Sequence, residues 1–257
     1  MTLRIVSLAD EFTAQQDRLY AGAEAVFWET ASVDSFESPA DRNLFRYKYL
    51  EYYRYAAPEL FLVAVAERTA PAEPDTAQDA GPVVYGYICG VADTREHREL
   101  YRVAAHIPVF DDLYEQYPAH LHINLTAASR GHGLGGRLIT DLEERLRHYY
   151  RSRGIHLVTS EGARNVSFYR KNGFTVEVPR AMSDAPARPD APGSPSTRAM
   201  SDASGSPFAR VMSDAPARPD APGSPSVPVL PDAPPPEAAL SSSDAETPRM
   251  LFMAKNL

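Results

Sequence analysis

Cysteine is nearly missing from this 257-residue chain. With Cys89 as its one thiol, no disulfide framework can form within the chain, and a reduced, cytoplasmic setting is expected. Cys89 lies in an apolar run and reads as a small core residue rather than a nucleophile. Long hydrophobic runs are missing too: nothing approaches the roughly 18 apolar residues of a membrane span, so no membrane partner is expected. Residues 1–10 alternate as a strand does and lack a basic start followed by a long apolar stretch, so no secretory leader is expected. Positive charge is in the minority, with 26 Lys and Arg against 34 Asp and Glu and a net charge of −8. Phosphate backbones need clustered cations, so nucleic acid is not the expected partner. The local group Arg145, Arg147, Arg151 and Arg153 has Glu143 and Glu144 beside it and reads as a solvated helix face. No metal site is expected.

Proline, by contrast, is plentiful and uneven: 16 of the 23 lie between Pro179 and Pro248. In that stretch MSDAPARPDAPGSPS occurs at 182–196 and again, unchanged, at 212–226, with a shorter echo, RAMSDASGSP, at 198–207. The repeat has no apolar face to stack, so it is not a solenoid. Its low hydrophobicity cannot offset the entropy of ordering, and a disordered insert is expected over 180–248. It divides a globular segment, 1–179, from a short ordered end, 249–257. Loop-closure cost grows only slowly with length, so a strand pair can carry such an insert.

Before the insert the pattern is that of an α/β domain. Residues 3–8 (LRIVSL) read as a strand, with Asp10 as a helix cap. A helical pattern follows to Ala57, with Phe12, Leu19, Val26 and Phe27 on one stripe and a restart at Pro39 to Asp41. Residues 44–53 are aromatic-rich and helix-like, as suits core or the wall of a groove. Residues 59–67 and 83–91 read as antiparallel strands joined by a polar loop, Gly86 and Gly90 marking bulges or close backbone approach. Residues 94–103 look helical, and Pro108 and Pro118 bracket a less regular stretch. Residues 120–126 (HLHINLT) alternate strictly, with Leu121, Ile123 and Leu125 on one face. Leu138, Ile139, Leu142, Leu146 and Tyr149 recur at helical spacing, and Gly154 is expected to end that helix. A strand at 155–159, a helix at 164–172 closed by Gly173, and strands at 174–178 and 249–254 complete the pattern.

The chemistry is expected at the turn Arg130, Gly131, His132, Gly133, Leu134, Gly135, Gly136, between a strand and a helix. Backbone N–H groups of such a turn, joined to a helix N-terminus, make an anion site suited to pyrophosphate. Read from Gly131 it is G-x-G-x-x-G, a dinucleotide fingerprint; read from Arg130 it is R-x-x-G-x-G. A dinucleotide unit would start its domain and carry an acid at the end of the next strand. Here the turn lies mid-chain after antiparallel strands, and Glu161 comes late. Downstream stands Asn165-Val166-Ser167-Phe168-Tyr169-Arg170-Lys171-Asn172-Gly173-Phe174.

These two segments, in this order, resemble the signatures of the GNAT N-acetyltransferases. The resemblance spans 1–179 plus the final strand. In detail, VYGYICGVADT, YPAHLHINL and GIHLVTSEGARNVSFYRKNGF are similar to the acetyltransferase-like domain of O-GlcNAcase and its stand-alone microbial relatives. Those relatives often read His-Ile-Asp in the fourth strand; here His122-Ile123-Asn124 puts an amide in place of the acid.

The resemblance implies a central mixed, mostly antiparallel sheet of about seven strands, flanked by helices and splayed between the fourth and fifth. It implies acetyl-CoA as co-substrate and direct attack by a primary amine of a small molecule or protein. Ile123, Asn124, Leu125 and Thr126 would hold the pantetheine through their backbone, the amides of Gly131 to Gly136 the pyrophosphate, and Asn165 and Phe168 the pantetheine arm. Tyr169 would protonate the departing thiolate. For the general base, Asp93, His122 and a water chain stay open. A catalytically inactive GNAT-fold interaction module is the other reading; an oxidoreductase lacks its second fingerprint half.

Overall fold

The computed structural model describes residues 3–66 apart from positions 32 and 34, 82–184, and 249–257. The polar loop expected after residue 67 and most of the proline-rich insert, from 185 to 248, lie outside the described residues.

Seven strands form one sheet: β1 (Leu3–Ser7), β2 (Leu62–Ala66), β3 (Val83–Val91), β4 (Ala119–Leu125), β5 (Gly154–Ser160), β6 (Val176–Ala181) and β7 (Arg249–Asn256). Their spatial order is β1-β2-β3-β4-β5-β7-β6. Every neighbouring pair is antiparallel except β4 and β5. β7 slots between β5 and β6, so the last segment of sequence sits inside the sheet. Its Phe252 is fully buried against Phe110, at 5.3 Å between ring centres, and His156, at 4.7 Å.

Burial explains the strands. All five residues of β2 are buried, as its unbroken apolar run demands for a strand covered on both faces. Gly86 and Gly90 permit close approach: a Cβ on Gly90 would stand 1.9 Å from the His120 carbonyl oxygen, and one on Gly86 2.8 Å from that of Asn124. The β2–β3 register also shifts between Ala64 and Val65.

Helix α1 (Thr13–Thr30) buries Leu19, Tyr20, Ala23, Val26 and Phe27. Two expectations fail here. Asp10 caps nothing: it closes a short 3-10 turn capped by Ser7 and pairs with Arg145, while α1 starts after Phe12 without a side-chain cap. Phe12 is 90% exposed, because it precedes the first turn of α1. α2 (Pro39–Arg46) takes Ser38 as its N-cap and Pro39 in its first turn. It runs through a π-helical turn, Tyr47–Glu51, into α3 (Tyr52–Ala56). A break at His97 separates a 3-10 turn, Thr94–Glu96, from α4 (Arg98–Val103), and Pro108–Leu113 is 3-10.

Helix α5 (Leu134–Arg145) buries Leu134, Leu138, Ile139 and Leu142, and a π turn, Leu146–Tyr150, continues it. Arg151 in the left-handed region (φ 51) closes it, so Gly154 instead opens β5; Tyr149 is exposed. α6 (Val166–Lys171) ends at left-handed Gly173 as expected. β6 runs beyond Pro179 to Ala181.

Candidate active site

β4 and β5 pair at only two positions, Ala119 with Ile155 and His120 with His156. Beyond them the strands part, and β4 is laddered to β3 alone. In an antiparallel ladder successive residues aim their backbone groups to opposite sides. Thr126 N donates to Tyr85 O at 3.0 Å, so Asn124 and His122 also bond toward β3. The N–H and C=O of Ile123 and Leu125 therefore face the gap. The Leu125 carbonyl accepts from Arg130 Nε at 3.2 Å, which folds the Arg130 side chain over the end of β4.

At that end the chain turns into α5. Gly131 (φ 80) and Gly133 (φ 75) are left-handed, and a Cβ at either would meet open space. The first bond of α5 is Arg137 N to Gly133 O at 3.1 Å. The N–H groups of Leu134, Gly135 and Gly136 precede it and point out of the helix end. Gly135 is held for a different reason: its Cβ would lie 2.8 Å from the Phe168 ring and 3.0 Å from Leu125. That contact locks the end of β4, the start of α5 and α6 together. The turn is thus a cradle of backbone donors with room in front of it, which suits a pyrophosphate. His132 is exposed and donates from Nδ1 to the Arg130 carbonyl at 2.8 Å. This is the arrangement that the resemblance to GNAT acetyltransferases implied: a seven-stranded sheet, splayed between its fourth and fifth strands, with a glycine turn at the mouth.

No protein-family model and no curated protein matches the chain. Solved structures do show likeness. One is the crystal structure of SsHAT, 19% identical, covering 68% of this chain and 91% of its own, with a TM-score of 0.46. Another is the NatC complex bound to Gag peptide and CoA, 16% identical over 68% of this chain and 85% of that one, TM-score 0.42. A third is a GNAT-family acetyltransferase from Streptococcus pneumoniae, 14% identical over the full length of both chains, TM-score 0.46. At such identities and scores the chain's own geometry has to carry its function.

Alternation along β4 sends Leu121, Ile123 and Leu125 to one face and His120, His122 and Asn124 to the other. On the second face Tyr53, fully buried on α3, meets both histidines: its hydroxyl is 2.8 Å from His120 Nε2 and 2.9 Å from His122 Nε2. The proton positions follow from the far end. Thr94 Oγ1 donates to the Pro118 carbonyl at 2.9 Å, which uses its one hydrogen. It therefore accepts from His120 Nδ1 at 2.8 Å. His120 is neutral, since burial holds its pKa well below the ordinary value, so its Nε2 accepts from Tyr53. The Tyr53 oxygen then accepts from His122 Nε2, which leaves Nδ1 of His122 as the unprotonated nitrogen. Burial, then His106 and His156, push the His122 pKa down to about 3.

Between the diverging strands lies a pocket lined by His106, Tyr114, His120, His122, His156 and Val158. His156 donates from Nδ1 to the Tyr117 carbonyl at 2.6 Å and is sandwiched between the rings of Tyr114 and Phe252. Burial lowers its pKa to about 3, and burial followed by the charge of Lys48 lowers that of His106 to about 4. Among the described residues, no group of three or more His, Cys, Asp or Glu is placed to hold a metal ion.

The remaining expected residues divide. Tyr169 is buried on α6 between Phe168 and Phe174, its pKa raised to about 12 by burial, and its hydroxyl bonds to nothing among the described residues. Asn165 is exposed before α6 and accepts from Thr159 Oγ1 at 3.1 Å. Asn124 donates to Tyr87 OH at 2.7 Å, so its amide is used in packing. Asp93 lies past the end of β3, where β4 and β5 are still paired. There it caps the Thr94 turn through Arg95 N at 3.0 Å and ion-pairs with Arg95 at 3.1 Å. Of the two acid–base candidates, only His122 borders the gap. The sequence pattern offered Tyr53 only as one of several tyrosines of a core or groove wall, and it left out Thr94, His106 and His156. The tyrosine-rich stripe and the concentration of histidines in two segments were the available signals.

Proposed function

We propose that this chain is a GNAT-type acyltransferase that moves the acetyl group of acetyl-CoA to a primary amine. The observation that carries the reading is the parting of β4 and β5, where the unpaired edge of β4 at Ile123 and Leu125 leads into the donor turn at Gly131 to Gly136. A dinucleotide oxidoreductase has no use for the first, and an interaction module has a use for neither.

In this reading the N–H groups of Leu134, Gly135 and Gly136 hold the pyrophosphate, and the backbone of Ile123 and Leu125 receives the pantetheine arm as an added half-strand. The thioester then lies in the gap, its carbonyl polarised by the Ile123 N–H. The acceptor comes from the His122 side as a free amine. Its nitrogen bonds to the acetyl carbon, and the adduct nitrogen gives its proton to Nδ1 of His122, the unprotonated ring nitrogen. The carbon–sulfur bond breaks, and the thiolate takes its proton from Tyr169, which burial keeps protonated. Tyr53 and His120 are positioning residues: they fix the tautomer that leaves Nδ1 free.

The test is a thiol-release assay with acetyl-CoA and a panel of primary amines, with product mass measured. An amide product 42 Da heavier than the amine, the mass on the order of one acetyl group replacing hydrogen, is expected from at least one amine. Its loss in His122→Ala and Tyr169→Phe is expected with acetyl-CoA binding intact. Acetyl-CoA binding without turnover on any amine would favour the inactive module instead.

A further inference from the structure

The face that carries His122 extends outward along α2 and the π turn. Lys48 lies on that turn. Its ammonium sits 4.9 Å from the centre of the Tyr49 ring and 5.9 Å from that of Phe45. The Tyr49 ring meets His122 edge-on at 5.4 Å and lies parallel to His106 at 6.2 Å. Lys48 is thus one aromatic ring away from the pocket between the strands, and its charge reaches His106.

The side chain is partly buried, and among the described residues no carboxylate pairs with it. Its neighbour on the same segment shows the contrast: Arg46 holds both Glu24, at 2.9 Å, and Glu51, at 3.1 Å. Burial without a counter-charge draws the Lys48 pKa down, and no carboxylate acts to restore it. Leaving an ammonium half out of water costs free energy that contact with two rings offsets only in part. A second cation on the same aromatic wall, Arg42, stacks over Trp28 at 3.8 Å, also without a carboxylate partner among the described residues.

We infer that Lys48 is the anion-recognition residue of the acceptor pocket, so that the acceptor is a small primary amine that also bears a carboxylate or phosphate. The inference rests on the acyl-transfer reading for the word acceptor, but the anion site itself does not need turnover. As the anion enters, it supplies the counter-charge that no described residue places beside Lys48, and it directs the amine past Tyr49 toward His122.

The test uses the full chain and product-like probes in matched pairs, titrated by calorimetry with and without coenzyme A. One pair is N-acetyl-L-alanine and its amide; the other is N-acetylglucosamine 6-phosphate and N-acetylglucosamine. In at least one pair the anionic member should bind about tenfold tighter than the neutral one, as a charge-assisted contact predicts. Which pair responds assigns carboxylate or phosphate. The preference should vanish in Lys48→Met, which keeps the aliphatic stem, and persist in Lys48→Arg. The urea midpoint of Lys48→Met should equal or exceed that of the unaltered chain, because an unpartnered charge has been removed. Equal affinity within both pairs, failure of both anionic probes to bind at millimolar concentration, or a preference that survives in Lys48→Met would overturn the inference. So would a marked fall in the urea midpoint of Lys48→Met, which would make Lys48 a structural residue. If the preference holds and no amine is acetylated, the anion site stands and the acyl-transfer reading falls.

Discussion

Acid should loosen this protein well above the range in which carboxylates titrate. His122 and His156 have pKa values near 3 and His106 near 4, against 6.5 in an open chain, all through burial first. Below pH 6.5 the unfolded chain binds protons that the folded chain refuses, so stability is present above that pH and drains away as it falls. Each such histidine contributes about 1.4 kcal/mol per pH unit. From pH 6.5 to 5.0 that is about 2 kcal/mol each and about 6 for the three. Allowing roughly half for water that reaches the partly exposed His106 and His122 leaves about 3–4 kcal/mol. His120 acts in the same direction. A domain of this size holds only about 5–15 kcal/mol in total, so the loss is large. Asp112 and Glu177, whose carboxyls are lowered by Arg180 and Arg170, lose their share only at still lower pH. The assay is urea unfolding at pH 7.0, 6.0 and 5.0, with His156→Asn in parallel. The midpoint should fall steeply across the series, and less steeply in the variant. A midpoint unchanged between pH 7 and 5 would refute the buried neutral cluster.

Other expectations are more local. Phe252→Ala should cost about 3–5 kcal/mol in chemical unfolding, the cavity cost of a buried ring, because β7 is an interior strand despite its place beyond the insert. Tyr169→Phe should leave the melting temperature within a degree or two, since its hydroxyl bonds to nothing among the described residues, and lower kcat by about 10²-fold or more. Gly133→Ala should lose about 1 kcal/mol of stability, because its φ of 75 strains a side chain even where space is open. Tyr53→Phe, which removes the bridge between His120 and His122, should lower kcat with little change in KM and alter the pH–rate profile; an unchanged profile would separate Tyr53 from His122.

Much of this architecture was legible in the sequence. Strict alternation placed Leu121, Ile123 and Leu125 on one face of β4, and the apolar run at 59–67 marked the strand that became β2. The glycine turn was legible because its spacing serves two needs: left-handed backbone at Gly131 and Gly133, and contact with Phe168 at Gly135. What failed were positions decided by tertiary context. Phe12 fits the helical stripe by spacing yet precedes the first turn. Gly154 looks like a helix stop, but Arg151 takes the left-handed residue, and Gly154 is needed in β5, where a Cβ would meet Tyr117 at 2.6 Å. Asp93 reads as a free acid at a strand end, whereas a local turn and Arg95 engage it. The link from Thr94 through His120 and Tyr53 to His122 joins residues up to 69 apart in sequence, and no local pattern announces it.

The central claim is that the glycine turn and the open edge of β4 receive acetyl-CoA. Calorimetric titration of the chain with acetyl-CoA, beside Gly135→Val and with NAD as control ligand, tests it most directly. Micromolar binding of acetyl-CoA and none of NAD is predicted, with acetyl-CoA affinity lost in a Gly135→Val protein whose far-ultraviolet circular dichroism is unchanged. No acetyl-CoA binding by the unaltered chain, or binding indifferent to Gly135→Val, would contradict the account.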